Sequence, residues 1–425
     1  MLARLRQSEF IVNVSKVFAG NGIVFAISLF AIPVVSRLYT PEHYGVIGLF
    51  ISISSVVAII ATLKYEMALV LPEKDETAGD LLRATFLVTV LISLLTLVAI
   101  AVMKLCCSRF QIVESLGRYI WLLPVIIFLT ATSKLLVNGW LIRKKQFGRM
   151  ALAGMSNTLV NLGLRISLGF FIGSTVWGLV AGLLLGFAAG LLVAWPQSRE
   201  GFKCSEGTSA LSALKNYPEF PIYTMPADFV RTFAQNLPIF MLGFIFSPVV
   251  SGLYYMADRL IKAPVELGLH AFRGVYLQKM SAMYNAHEPL RATYVKTVAI
   301  MFLLGVGPAL LLFTFGTEIL TFVLGDKWMQ AGEFAEILAP LLLSFWITSP
   351  AAMLLITLRR QNYWLIVQAT IAVLQLIVFL YTYTTGQTAV WALSAFVTVQ
   401  LVINLLLMML VFGLLGRQDL KSHPQ

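Results

Sequence analysis

Apolar runs long enough to cross a lipid bilayer recur along this chain from near its start to near its end. A helix needs roughly 20 mostly apolar residues to traverse the hydrocarbon. Inside that layer the backbone finds hydrogen-bond partners only within its own helix or a closed barrel. Scanning at that length finds twelve windows, at residues 10–36, 44–67, 81–104, 119–142, 150–173, 174–195, 219–246, 250–273, 297–316, 337–358, 363–384 and 388–415. Turn residues separate them, as in Tyr39-Thr40-Pro41, Gly173-Ser174 and Thr384-Thr385-Gly386. Composition agrees, with 59% apolar and 12% charged residues, where a soluble domain carries about 25% charge. The chain reads as an all-α integral membrane protein of about 12 transmembrane helices.

The net charge of +11, from 31 basic and 20 acidic residues, follows the windows. With the N-terminus inside, the inner loops hold twenty Lys and Arg and the outer loops five, namely Arg37, Lys104, Arg109, Arg118 and Lys327. Such a bias orients membrane helices. It predicts both termini in the cytoplasm, and it accounts for the basic balance without a nucleic-acid partner. Residues 1–37 read as a retained first span, because the apolar run is too long for a signal peptide and lacks a small-residue cleavage site. Cys106, Cys107 and Cys204 form no disulfide framework, and the four histidines are scattered. No metal, no cofactor and no enzyme nucleophile are expected.

An internal repeat divides the chain. Tyr39-Thr40-Pro41-Glu42-His43-Tyr44-Gly45 follows the first window and Phe246-Ser247-Pro248-Val249-Val250-Ser251-Gly252 the seventh, 207 residues later. Two parallel six-helix lobes follow, residues 1–200 and 219–425, joined by a cytoplasmic linker at 201–218. Parallel repeats of this kind occur in transporters, with substrate held near the midplane. Gly178, Gly182, Gly186 and Gly190 make a small-residue stripe for helix packing. Pro226, Pro238, Pro264, Pro308, Pro340 and Pro350 make the second half the one expected to bend. The polar stretch 196–218 reads as a loop. The segment at about 274–296, with Tyr276, Leu277, Met280, Met283 and Tyr284 among basic residues, reads as an interfacial amphipathic helix or a plain loop.

Five cations lie near the middle of the bilayer: Lys134, Arg165, Arg231, Arg259 and Lys262. Each costs about 2.5–3.5 kcal/mol to insert unless it meets water, a partner or a ligand. Asp258, Lys262 and Glu266 stand at i, i+4, i+8 and can pair along one face, and Asp228 precedes Arg231 by three. Lys134 and Arg165 have no acid one turn away. Thr130, Lys134 and Asn138 form one polar stripe, Asn157, Asn161 and Arg165 a second, and Asp228, Arg231 and Gln235 a third. Lys64 and Glu66 cancel at the end of the second window. The five cations exceed Asp228, Asp258 and Glu266 by two, so the expected cavity suits an anion, and arginine offers donors matched to phosphate. The alternative is a structural charge network around a neutral substrate. Lys134, Arg165, Arg231, Arg259, Lys262, Asn138, Asn161 and Gln235 are the candidate substrate contacts, and Glu66, Asp228 and Asp258 the candidate ion carriers.

Several segments resemble bacterial O-antigen and exopolysaccharide repeat-unit flippases. They are Arg37-Leu38-Tyr39-Thr40-Pro41-Glu42-His43-Tyr44-Gly45, Lys64-Tyr65-Glu66-Met67-Ala68-Leu69-Val70-Leu71-Pro72, Tyr217-Pro218-Glu219-Phe220-Pro221 and Asn236-Leu237-Pro238. Ser251-Gly252-Leu253-Tyr254-Tyr255-Met256-Ala257-Asp258-Arg259 and Phe322-Val323-Leu324-Gly325-Asp326-Lys327-Trp328 with Ala331-Gly332 belong to the same set. These flippases form the polysaccharide branch of the multidrug, oligosaccharidyl-lipid and polysaccharide exporter superfamily. The resemblance implies V-shaped six-helix lobes, alternating access and an undecaprenyl-diphosphate-linked oligosaccharide moved from the inner to the outer leaflet of the plasma membrane. It also implies a cationic cavity, membrane lipids around it, and polysaccharide polymerase and export machinery as partners. The rival within the superfamily is an ion-coupled multidrug exporter, which needs an acidic cavity. A membrane-embedded polymerase or glycosyltransferase would need a sizeable soluble loop with catalytic acids, and none of the outer loops exceeds about twenty residues.

Overall fold

In the computed structural model the described residues are 22, 24–106, 116–203 and 210–422. The expectations for residues 1–21, Cys107, Arg109 and Cys204 lie outside them. All regular structure in the described residues is helical. In chain order the elements are α1 (Val24–Leu38), α2 (Pro41–Thr62), α3 (Tyr65–Ala68), α4 (Asp75–Cys106), α5 (Gly117–Arg143), α6 (Phe147–Phe171) and α7 (Val176–Lys203). There follow α8 (Ala210–Lys215), α9 (Met225–Ile245), α10 (Pro248–Asn285), α11 (Arg291–Leu324), α12 (Met329–Thr357), α13 (Gln361–Thr385) and α14 (Ala389–Ser422). Setting aside the short α3 and α8, the helices fall one to each window read from the sequence. The protein is a multi-pass membrane protein, and eight of its described helices are long and apolar enough to span a bilayer. Helices α1, α6, α9 and α10 are not among those eight. The last three carry Arg165, Arg231 and Arg259, so the residues of interest are those that dilute the apolar signal.

Local sequence explains the helix ends. Thr40 caps α2 by accepting from the His43 N–H at 3.4 Å, while His43 Nδ1 accepts from the Thr40 N–H, and Pro41 takes the first turn. Ser247 caps α10 in the same manner, accepting from the Val250 N–H at 3.3 Å ahead of Pro248. A capping hydroxyl followed by proline is a strong helix start, so the two repeat motifs perform one local task.

The chain forms two compact units, Met1–Thr232 and Phe233–Gln425. The limit falls within α9, and Asp228 near the start of that helix is paired with Lys64 of the first unit at 2.8 Å. The expected loop 196–218 is partly helical: α7 runs through Pro196 to Lys203, and α8 occupies Ala210–Lys215.

In the first unit, Tyr65, Ala68 and Leu69 of α3 are buried with Leu81 and Leu82 of α4 and Leu135, Leu136 and Trp140 of α5. Gly139 makes that approach feasible, since a Cβ there would stand 2.7 Å from Leu69 Cδ1 and 3.0 Å from the Glu66 carbonyl oxygen. The glycine stripe of α7 packs on α6, as expected. A Cβ at Gly182 would meet Asn161 O at 2.7 Å, and one at Gly190 would meet Ala153 O at 2.9 Å.

In the second unit the segment after 273 is neither a loop nor an interfacial helix up to residue 285, but the continuation of α10. Tyr276 and Met280 are buried there with Tyr294, Leu354, Leu355, Leu407 and Val411, so the apolar face meets α11, α12 and α14 rather than lipid headgroups. The bend in α11 falls at Phe315 (φ −131°, ψ 21°), seven residues beyond Pro308. Glu336 of α12 reaches into the break, its Oε1 accepting from the Thr317 N–H at 2.8 Å. Gly316 and Gly332 let the two helices close on each other at that level.

Two stability tests follow. Glycine to alanine in a helix ordinarily stabilises by about 0.5–1 kcal/mol. Gly148→Ala, in open space, should raise the thermal midpoint of detergent-purified protein, whereas Gly139→Ala should lower it by overpacking worth about 1–3 kcal/mol. Glu336→Leu should cost about 1–3 kcal/mol by stranding the Thr317 N–H, and Glu336→Gln, which keeps an acceptor, should cost clearly less by the same melting measurement.

Candidate functional site

The site grows from the end of α2. Leu63 and Lys64 both adopt left-handed backbone, φ 48° and 63°, a conformation that non-glycine residues avoid at a cost of order 1–3 kcal/mol. The double reversal turns α3 back into the core and aims two charges at α9. Lys64 Nζ lies 3.2 Å from Glu66 Oε1 and 2.8 Å from Asp228 Oδ2. Asp228 is shared, because Arg231 Nε donates to its Oδ1 at 2.9 Å and a second guanidinium nitrogen donates to the same oxygen. Glu66 is buried, and its Oε2 has no hydrogen-bond partner among the described residues.

Lys134 completes the group. It opens a π-helical turn, Lys134–Trp140, inside α5, a distortion often found at functional sites. That turn packs on α3 through Leu135, Leu136 and Trp140, and among the described residues Lys134 makes no ion pair. The first unit therefore gathers five charges: Lys64, Lys134 and Arg231 against Glu66 and Asp228. Lys64 and Asp228 are largely covered, whereas the Arg231 side chain is 43% exposed.

A clamp holds this group from the α3–α4 connection. Arg143 donates from Nε to Asp75 Oδ1 at 3.0 Å and from one terminal nitrogen to the carbonyls of Leu69 and Pro72, while Lys144 also pairs with Asp75. Tyr65 donates to the Leu214 carbonyl at 2.9 Å. Sequence reasoning counted Arg143 as a loop charge and set Lys64 against Glu66 alone. The signal for Lys64 was present, since Lys64-Tyr65-Glu66 follows an apolar helix and α9 supplies a second acid near its own start.

The remaining expected residues fall elsewhere. Arg165 is buried in the seam between α6 and α7, where its Cγ would lie 2.8 Å from a Cβ on Gly182, and its carbonyl accepts from the Tyr39 hydroxyl at 2.8 Å. Asn157 and Asn161 face the same glycine seam. The stripe Thr130, Lys134, Asn138 does not share one environment, because Thr130 Oγ1 is buried without a partner and Asn138 is exposed. In the second unit Gln235 is exposed. Lys262 pairs with Asp258 at 2.7 Å, and Arg259 donates to the Tyr255 hydroxyl at 3.3 Å. Glu266 pairs with Arg273 at 3.1 Å rather than along the Asp258–Lys262 face. Among the described residues no three His, Cys, Asp or Glu side chains converge as a metal site requires.

No curated protein matches the chain. Its fold is similar to those of several solved transporters. A solved structure described as an inward-facing multidrug resistance MATE family transporter of the MOP superfamily is similar at TM-score 0.74 and 13% identity, over 94% of this chain and 96% of the other. The lipid II flippase MurJ in an inward closed conformation is similar at TM-score 0.71 and 14% identity, over 95% of this chain and 90% of the other. A MOP superfamily transporter from Pyrococcus furiosus is similar at TM-score 0.53 and 13% identity, over 97% and 96%. At these identities the likeness is one of fold. The sequence itself speaks for the family: residues 34–333 match the family model described as polysaccharide biosynthesis protein, and the chain belongs to that family.

Proposed function

We propose that the protein is a flippase that moves an undecaprenyl-diphosphate-linked oligosaccharide repeat unit from the inner to the outer leaflet of the bacterial plasma membrane, for O-antigen or exopolysaccharide assembly. Membership of a polysaccharide biosynthesis family and a transporter fold support that reading. The observation that carries it is the charge balance of the first-unit cluster. Three cations face two carboxylates there, and the surplus sits on Lys134, which has no carboxylate bonded to it. A cationic surplus in low dielectric attracts a diphosphate strongly, and the planar fork of Arg231 suits its oxygens. Asn138, which is exposed, is proposed as a contact for sugar hydroxyls. Arg259 and Lys262 are proposed as a separate group of substrate contacts in the second unit.

Transport then needs no covalent chemistry. The lipid tail stays in hydrocarbon while the head crosses, and a potential negative inside favours outward movement of an anion by about 2.3 kcal/mol per charge per 100 mV. Glu66 and Asp228, already held against Lys64, are the proposed carriers of a coupling proton or sodium ion, with Asp258 in the second unit. Both termini are proposed to lie in the cytoplasm, with a polymerase and export machinery receiving the product. A multidrug exporter is the rival on fold, but a cluster with surplus positive charge repels cationic drugs.

The test is made in cells and in vesicles. Lys134→Ala and Arg231→Ala should each reduce surface polysaccharide and lipid flipping in proteoliposomes by about tenfold or more, the loss of a charged hydrogen bond being worth about 1.5–3 kcal/mol. Lys134→Arg should retain most activity, and membrane abundance by immunoblot should not change. Undiminished polysaccharide in the double variant at normal abundance would reject the cationic site. Deleting the gene should leave drug susceptibility unaltered, and increased sensitivity to cationic drugs would favour the exporter.

A further inference from the structure

The outer surface of the α6–α7 pair carries an apolar groove that the cluster around Lys64 does not use. It has a volume of about 490 Å3 and is floored by Gly163, Ala188 and Ala189 between Val160 and Leu164 on one side and Leu185 and Leu192 on the other. The two helices are antiparallel about the turn at Gly173, so the end of α7 returns to the start of α6.

Helical arithmetic extends both walls onto charge. Arg149 lies eleven residues before Val160, three turns back on the same face, and Arg199 and Lys203 lie seven and eleven residues beyond Leu192, again on the same face. All three thus stand at one end of the groove. Arg199 and Lys203 are exposed, and one guanidinium nitrogen of Arg149 is buried without a hydrogen-bond partner. Among the described residues no carboxylate pairs with any of the three, not even the neighbouring Glu200. Between groove and basic end stands Trp195, 49% exposed with its ring against Phe202, the position an aromatic residue takes at a membrane–water boundary. Depth fits as well. At 1.5 Å per residue, Leu192 and Leu185 lie about 10 and 20 Å from Arg199 along α7, which is roughly the depth of one leaflet of a hydrocarbon core about 30 Å thick.

We propose that this surface binds one anionic phospholipid of the inner leaflet, its acyl chain in the groove and its headgroup phosphate on Arg149, Arg199 and Lys203. The ligand is a resident lipid rather than the transported one, because the groove ends at the reach of a single leaflet, which a long polyprenyl tail would overrun. The proposal does not depend on the flippase reading. Its failure would leave that reading untouched.

The purified full chain supplies the test. Native mass spectrometry with added phosphatidylglycerol, phosphatidylcholine or undecaprenyl diphosphate should show one phosphatidylglycerol bound at least about tenfold more tightly than phosphatidylcholine. Replacing all three basic residues, Arg149→Gln with Arg199→Gln and Lys203→Gln, should abolish that preference, because all three attract an anionic headgroup. Gly163→Leu fills the groove, and a Cβ at that glycine meets nothing within 4 Å. It should reduce phosphatidylglycerol occupancy about tenfold with a thermal midpoint that does not fall. In the unaltered chain, phosphatidylglycerol with brominated chains should quench Trp195 fluorescence, read as the difference from Trp195→Phe. Equal binding of phosphatidylcholine, wild-type occupancy in the variants, absent quenching, or displacement of phosphatidylglycerol by undecaprenyl diphosphate would each overturn the proposal.

Discussion

Lys64 makes two ion pairs at once, with Glu66 at 3.2 Å and with Asp228 at 2.8 Å, and the organisation of the first unit depends on that bridge. Removing ions from water costs several kcal/mol each, and only close partners with good geometry offset it. The bridge joins two segments separated by more than 160 residues, α3 and the start of α9. Both of its ends lie in the first unit. It also engages the carboxylates of Glu66 and Asp228, so Lys134 is left without an ion pair among the described residues.

Backbone geometry makes the bridge feasible. Two successive left-handed residues, Leu63 and Lys64, reverse the chain, and Gly139 lets α5 come within contact distance of Glu66. The Arg143 fork then ties down the carbonyls of Leu69 and Pro72. Strain at the turn is offset by packing and hydrogen bonds around it, a common arrangement where a site must be held in one geometry. The second unit treats its charges differently. Asp258 and Glu266 each have a basic partner on α10 itself, so its charges are satisfied locally.

Small residues recur as the means by which polar side chains are accommodated. The glycines of α7 admit Asn157, Asn161 and Arg165 into a helix seam, and Gly316 with Gly332 admits Glu336 into the break of α11. In both places a polar group that would be costly in lipid is shielded by close helix approach. At the break of α11 a carboxylate from a neighbouring helix satisfies the backbone N–H of Thr317.

The sequence by itself determined the membrane class, the succession of long helices, their capped starts at Thr40 and Ser247, and the packing role of the α7 glycines. Each of these rests on interactions within a few turns of one helix or on the length of an apolar run. Tertiary structure alone decided which charges meet. Arg165 looked equivalent to Lys134 when only its own helix was considered, yet it packs in the α6–α7 seam, and Lys64 looked spent on Glu66 until α9 brought Asp228 beside it. It also decided that residues after 273 extend a buried helix, since an apolar face reads the same whether lipid headgroups or three other helices cover it. Charge pairing acts over a few ångströms in space, and the sequence sets no such distance between residues far apart in the chain.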